Sequence, residues 1–278
     1  MSQQHAKEIA GGERFAFGDN WRRFLERLTD RQIQESERSL AQMLDTPSLK
    51  GLRFLDVGCG SGLSSLVARR MGAHVEAFDY DPASVGCALE LKRRFFAEDE
   101  CWTIREGSAL DTAFLASLGE FDIVYSWGVL HHTGAMWSAL ENVGHLVAPG
   151  GRLYIAIYHD AAGSSRRWLR VKRLYNRLPR GLRPLVLAPA FCALWGPVFI
   201  RDLLRGSPLK TWRAYGGTRG MSPWRDVIDW VGGYPYEFAK PEEILDFYRN
   251  RGFNLLKLRT VNGNGCNEFV FLRADTAL

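Results

Sequence analysis

Three groups of residues have the type and spacing to do chemistry. The run Leu55-Asp56-Val57-Gly58-Cys59-Gly60-Ser61-Gly62 joins a short apolar stretch to the helix-forming segment Leu63–Met71. Alternating glycines let a backbone turn sharply and approach a ligand that any Cβ would repel, and the following helix turns free N–H groups toward it. Asp56, at the start of the run, can take an amine or a chain of waters beneath that ligand. Asp79 stands 17 residues beyond Gly62, at the end of a second apolar stretch. A carboxylate there can accept both ribose hydroxyls of a nucleoside, since strand-two acids do so at a distance of about 20 residues in nucleotide sites. The pair His131-His132 follows a third such stretch, and histidine is the side chain suited to general-base work near neutral pH.

These groups must be carried by elements that the pattern also indicates. Apolar runs at 52–57, Ala73–Phe78, Trp102–Arg105, Phe121–Ser126 and Gly151–Tyr158 read as strands, separated by segments of helical period. Strand and helix alternating in this way predict a parallel sheet covered on both faces, with ligands beyond the carboxyl ends of the strands. Asp79, Ser108, Ser126 and His131 all fall at those ends. Pro82 is placed to open a helix running to Glu98. Pro241–Arg251 reads as an amphipathic helix, followed by a hairpin of Phe253–Val261 and Asn267–Leu272 around Asn262-Gly263-Asn264-Gly265. Upstream, residues 1–20 are polar and expected to be loose, and helices are expected from Asn20 and over Ile33–Leu44.

The loop reads D-x-G-x-G-x-G. A dinucleotide fingerprint would read G-x-G-x-x-G, and a P-loop would continue G-K-[ST]. An ordinary strand-to-helix turn would account for the loop taken by itself. With the strand-two acid, the Val129-Leu130-His131-His132 block and the terminal hairpin in register, the chain resembles the class I S-adenosylmethionine-dependent methyltransferases over about residues 50–160 and 240–273. The resemblance implies a Rossmann-like, doubly wound seven-stranded sheet, parallel apart from one antiparallel hairpin strand. It also implies S-adenosylmethionine as cofactor and S-adenosylhomocysteine as product. Asp56, Gly58, Cys59, Gly60 and Gly62 would hold the cofactor's tail, Asp79 and Tyr80 its sugar, and Ser108 and Ala109 its adenine. Ser108 stands where an acid is commoner. Ser126 and Trp127 close the site from strand four, and Trp21 or Phe17 from the N-terminal arm is a candidate aromatic wall beside the sulfonium.

Small-molecule and sugar O-methyltransferases of this family are proposed to use a histidine of this block as base, so His131 and His132 are the catalytic candidates. Some also carry an acid within strand five. Here that place is Ile157, which leaves Asp160 or His159 to substitute. Strand four does not run into the Asp/Asn-Pro-Pro-Tyr sequence that grips an sp² nitrogen, so DNA-base methylation is disfavoured.

The composition, 46% apolar and 24% charged, is that of a soluble globular protein. Five cysteines form no C-x-x-C pair and there is no zinc spacing or secretory signal, so no metal and a reduced, cytoplasmic chain are expected. Charge is unevenly placed: residues 161–220 hold 13 Lys and Arg against Asp202, a net of +12, leaving −7 elsewhere in a chain of net +5. The expected organisation is an N-terminal helical arm (1–48), a cofactor domain (49–160 and 239–278) and a basic, apolar helical insertion (161–238) between strand five and the last helix.

Within the insertion, Ser164–Leu178 places Trp168, Val171, Leu174, Tyr175 and Leu178 on one helical face. That face suits either packing on the main domain or an anionic membrane surface. Leu185–Ile200 is uncharged but shorter than the roughly 20 residues needed to cross a bilayer, and Pro189, Gly196 and Pro197 break it. The remainder, rich in aromatic and charged residues, offers Arg219, Trp224, Trp230 and Tyr234, with Trp21 and His159, as substrate contacts. The expected activity is methyl transfer to a hydroxyl, or to an amine, of a small molecule such as a sugar or lipid-linked metabolite. A protein-lysine or RNA methyltransferase recruited through the basic insertion, and a peripheral membrane protein, are the alternatives. Nucleic acid is not expected as a partner, and oligomeric state is left open.

Overall fold

The computed structural model describes residues 2–219, 223–263 and 265–275. A seven-stranded sheet runs through it in the order β3-β2-β1-β4-β5-β7-β6. The strands are β1 (Arg53–Val57), β2 (His74–Asp79), β3 (Trp102–Glu106), β4 (Phe121–Trp127), β5 (Val147–Tyr158), β6 (Phe253–Arg259) and β7 (Cys266–Arg273). β1 pairs in parallel with β2 and β4, β2 with β3, and β4 with β5, while β7 runs antiparallel between β5 and β6. Phe54, Leu55, Val57, Val124, Leu153 and Ile155 are fully buried from both faces, as an internal parallel sheet requires. The order reverses between β1 and β4, and the crevice outside that switch point is where such a sheet takes its ligand. Asn264, in the expected hairpin turn, lies outside the described residues.

Twelve helices cover the sheet and its C-terminal edge among the described residues. They are α1 (Ser2–Ala10), α2 (Gly18–Glu26), α3 (Asp30–Leu44), α4 (Leu63–Arg70), α5 (Pro82–Phe95), α6 (Thr112–Ala116), α7 (Met136–His145), α8 (Gly163–Arg177), α9 (Pro184–Leu204), α10 (Lys210–Arg219), α11 (Pro223–Gly232) and α12 (Pro241–Arg249). α3 starts on a capping box, Thr29 with Gln32, and α5 on Asp81, whose carboxylate accepts the Ala83 N–H.

Two expectations are corrected here. The first residues are not loose: α1 and α2 fold over the strand tips, and Asp81 Oδ2 accepts the Gly18 N–H at 2.8 Å. The prolines do not break the apolar stretch, because α9 continues through Pro189 and Pro197 for 21 residues. Both prolines sit on its exposed side, where the carbonyls they leave without a partner can turn to solvent. Arg180–Leu204 is long and apolar enough to cross a membrane by length and composition, and most of its apolar window is not buried. Tyr175, Leu187, Ala190, Trp195, Val227 and Val231 of α8, α9 and α11 make a separate apolar cluster beside the sheet.

Candidate active site

The glycine loop is fixed by its neighbours as well as by its dihedrals. Gly58 and Cys59 donate their N–H groups to the Phe78 carbonyl at 2.8 and 3.0 Å, which locks the loop to the end of β2. Gly58 has φ +75°, and a Cβ there would lie 2.3 Å from Val129 Cγ1 of the loop after β4. Gly60 has φ +54° and lies under the Trp21 indole of α2. Asp79 holds the loop from the other side: Oδ2 accepts the Gly60 N–H and Oδ1 the Asp81 N–H, each at 2.9 Å. Each oxygen keeps a further lone pair for a ligand. Burial pushes the Asp79 carboxyl up to about 6, against those two N–H donors. Asp56 is fully buried, accepts the Ser65 hydroxyl at 2.6 Å and is pushed up by burial to about 7.

A cavity of about 330 Å³ opens over these groups. Asp56, Gly58, Cys59, Gly60, Asp79, Tyr80, Ser108, Ala109 and Trp127 line it, as do Phe15, Phe17, Trp21 and Phe24 from the arm. Trp21 therefore stands over the glycine loop. Gly62 does not line the cavity: it begins α4, donating to the Cys59 carbonyl at 2.8 Å. Nor does Ser126, whose hydroxyl is fully buried and donates to the Val57 carbonyl at 3.0 Å, tying β4 to β1. Alternation along the strand turns Ser126 inward, so its neighbour Trp127, 49% exposed, is the one presented.

The two histidines are told apart by their hydrogen bonds. His131 is fully buried, and its Nδ1 accepts the Tyr158 N–H at 3.2 Å. Its proton is therefore on Nε2, which is buried and has no hydrogen-bond partner among the described residues. It has no free lone pair and does not reach the cavity. His132 lines the cavity, and its Nδ1 meets the Pro235 carbonyl. A carbonyl only accepts, so Nδ1 carries the proton and Nε2 keeps its lone pair. Burial holds both imidazoles neutral, His131 well below the usual range and His132 at about 3.

The acids and aromatics expected to join them are placed elsewhere. Asp160 does not pair with either histidine: its Oδ1 closes the turn after β5 by accepting the Ala162 N–H at 2.8 Å. His159 Nδ1 is 3.2 Å from Asn267 Nδ2 of β7. Both are drawn to the β5–β7 edge, where the chain leaves for the insertion. Trp224 packs on Phe191 of α9, and Trp230 on Tyr158 and Trp168. The Tyr234 carbonyl accepts the Phe15 N–H at 2.9 Å. None of these lines the cavity, and the side chain of Arg219 lies outside the described residues.

On α8 the expected apolar face is buried through Tyr175, with Trp168 and Val171 packed against the same cluster, but the burial extends to a polar stripe that the pattern did not indicate. Ser165, Lys172, Tyr175 and Asn176 are buried, while Leu174 is exposed. Positions 165, 172 and 176 share a helical face, a polar stripe hidden among arginines that an apolar-only count passes over. Lys172 is fully buried, donates to the Trp230 carbonyl and lies 4.3 Å from the Trp230 ring and 4.6 Å from that of Tyr236. Burial lowers it to about 7, with the Asp229 charge opposing, and raises Asp229 to about 7.

The two groups act in separate pH windows. The folded Lys172 value lies below its ordinary 10.5, so between about 7 and 10.5 the unfolded chain binds a proton that the folded chain refuses, and stability rises with pH. Asp229 acts below about 7. Lys172→Met is expected to melt a few degrees higher at pH 7.5, because an apolar side chain escapes the cost of burying an ammonium, and to lose that rise. Thermal melts across pH 7 to 10 check this. A lower melting point with the slope intact would refute it.

A family model described as a methyltransferase domain matches residues 15–195, more than half of the chain. The ubiquinone biosynthesis O-methyltransferase of Xylella fastidiosa (strain M23) is 27% identical over 187 residues, which is 64% of this chain and 68% of that protein. The protein of the same name from Sinorhizobium fredii (strain NBRC 101917 / NGR234) is 33% identical over 135 residues, 48% of this chain and 52% of its own length. The chain thus spans about half of the second relative. Among solved structures, magnesium protoporphyrin IX methyltransferase from Synechocystis PCC 6803 with bound S-adenosylhomocysteine superposes with a TM-score of 0.55 at 17% identity. The match covers 92% of this chain and 94% of that one, a likeness of fold.

Proposed function

We propose, for a chain that belongs to the class I S-adenosylmethionine-dependent methyltransferases, that the methyl goes to a hydroxyl of a small-molecule acceptor and that His132 takes the hydroxyl proton. The cradle fits the cofactor: glycines without Cβ atoms in the loop, Asp79 with lone pairs for two ribose hydroxyls, and Asp56 beneath. Bound there, S-adenosylmethionine would supply an electrophilic methyl, the new O–C bond forming as the S–C bond breaks, with S-adenosylhomocysteine as the product. Phe15, Phe17, Trp21 and Trp127 keep water away and offer ring faces to a cation.

His132 Nε2 receives the hydroxyl proton in the step that removes positive charge from sulfur. Burial keeps His132 neutral beforehand and also disfavours its protonated form, so the proton transfer draws on the simultaneous loss of positive charge at sulfur. The observation that carries this reading is the Pro235 carbonyl on His132 Nδ1, which leaves Nε2 as the acceptor nitrogen of a residue that lines the Asp79 cavity. The two relatives named as O-methyltransferases support oxygen as the atom methylated.

Mass spectrometry with isotopically labelled cofactor across quinols, glycosides and lysine peptides tests the reading. Label on a hydroxyl oxygen is expected, and label confined to lysine nitrogen would overturn it.

A membrane-surface contact through α9 belongs to the same proposal. Leu185 is 71% and Leu204 82% exposed, Ile200 and Leu203 are exposed with them, Arg201 lies in the last turn, and Arg183 and Arg205 flank the helix. Apolar exposure beside cations suits an anionic bilayer surface. The protein is expected to float with phosphatidylglycerol liposomes and Leu203→Glu/Leu204→Glu to stay behind. Equal flotation of the two would remove α9 from the contact.

A further inference from the structure

Beside the catalytic cavity lies a larger groove, of about 790 Å³, between the arm, the end of α8 and α11. Arg14, Arg23, Arg177, Arg180, Arg183 and Arg225 line it, and no carboxylate does among the described lining residues. Acids adjoin it: Glu8 holds Arg14 Nε at 2.8 Å, and Asp229, which accepts from Asn20, faces Arg225. Two of the arginines are fixed in place. Arg14 also donates to the His132 carbonyl at 2.9 Å, and Arg183 donates to the Leu178 and Asn176 carbonyls while lying on the Tyr175 ring. Arg23, Arg177, Arg180 and Arg225 are exposed. α9 begins at the groove, so the positive end of a 21-residue helix adds to the field. Like charges gathered in one concavity repel one another, and a multivalent anion relieves that repulsion.

We infer that this groove holds the phosphate or diphosphate of the methyl acceptor. Arg14 is paired with Glu8 and Arg225 faces Asp229, but the four other guanidiniums still exceed what one carboxylate can engage, whereas the fork of donors on each matches the several oxygens of a diphosphate. Arg14 and Phe15 line both spaces, so a single ligand can reach from the groove to His132. The inference rests on the reading that the acceptor enters the cavity beside His132, and it adds to that reading the anionic class of the substrate.

Isothermal titration of inorganic pyrophosphate into the full chain, saturated with S-adenosylhomocysteine and at low salt, tests the site apart from turnover. Saturable binding that weakens with salt is expected. Arg177→Gln/Arg180→Gln should lower the affinity about tenfold or more. Arg166→Gln/Arg167→Gln, exposed on α8 outside the groove, should leave it within about twofold, which would show that the groove rather than diffuse charge is responsible. Absence of saturable binding, or equal losses in the two double variants, would overturn the inference.

Monomeric dihexanoyl-phosphatidylglycerol separates an acceptor's diphosphate from a lipid headgroup. It should displace pyrophosphate only at much higher concentration, and affinity equal to or tighter than that of pyrophosphate would overturn the assignment to the acceptor. Pyrophosphate binding in a protein that labels only lysine nitrogen would strike the oxygen-acceptor reading and leave the anion site standing.

Discussion

His132→Ala is expected to lower kcat by about 10²- to 10⁴-fold, the usual worth of a positioned general base, while S-adenosylhomocysteine binds within about twofold of wild type. The selectivity of the effect follows from the position of the ring. It borders the cavity but makes its hydrogen bond to the Pro235 carbonyl, away from the glycine loop and Asp79. His131→Ala removes a fully buried ring that packs on Tyr158 with centroids 3.9 Å apart, so its main expected effect is on stability. Steady-state rates and calorimetry on both variants separate the two roles. A loss of kcat confined to His131→Ala would reverse the assignment.

The pH profile sharpens this expectation. His132 is held at about 3, so its lone pair persists from pH 8 down to pH 5 and kcat should not fall through protonation there. Its folded value lies below the unfolded one, near 6.5, so stability is present above that value and is progressively lost as pH falls toward 3.

Asp79→Ala is expected to weaken cofactor binding by about 100-fold or more, because hydrogen bonds to a charged group are worth about 1.5–3 kcal/mol each and two hydroxyls are involved. The variant also strips the Gly60 and Asp81 N–H groups of their acceptor. Asp79→Asn is the cleaner probe, keeping the shape and one acceptor oxygen, and should fall between alanine and wild type. With the carboxyl pushed up to about 6, the cofactor KM should rise as pH drops below that value while kcat holds. Calorimetric titration of S-adenosylhomocysteine into the three proteins measures the first effect, and unchanged affinity in both variants would take the acid out of the site.

The sheet and its ligand edge were legible because their determinants are local. Apolar strands, three glycines before a helix and an acid at a fixed offset are all written within about 30 residues. What escaped depends on partners far along the chain. The two adjacent histidines differ through Pro235, 103 residues beyond His132, and through the bend that carries Tyr158 under His131. The first residues looked loose because their apolar side chains are few, yet Phe15, Phe17 and Trp21 find their burial on the strand tips. Lys172 was counted with the arginines because pattern reading sorts side chains by polarity, and only the rings of Trp230 and Tyr236 explain its burial.

α2 has its first turn attached on two sides. Gly18 donates to Asp81, two residues from Asp79, and Asn20, which lines the arginine groove, donates to Asp229 on α11. Whichever ligand settles the helix first spares the other that ordering cost, so the two should bind with positive heterotropic cooperativity, each tightening the other by the same factor. Dissociation constants for S-adenosylhomocysteine with and without saturating pyrophosphate would expose that reciprocity, and independent values would mean the first turn of α2 is already rigid.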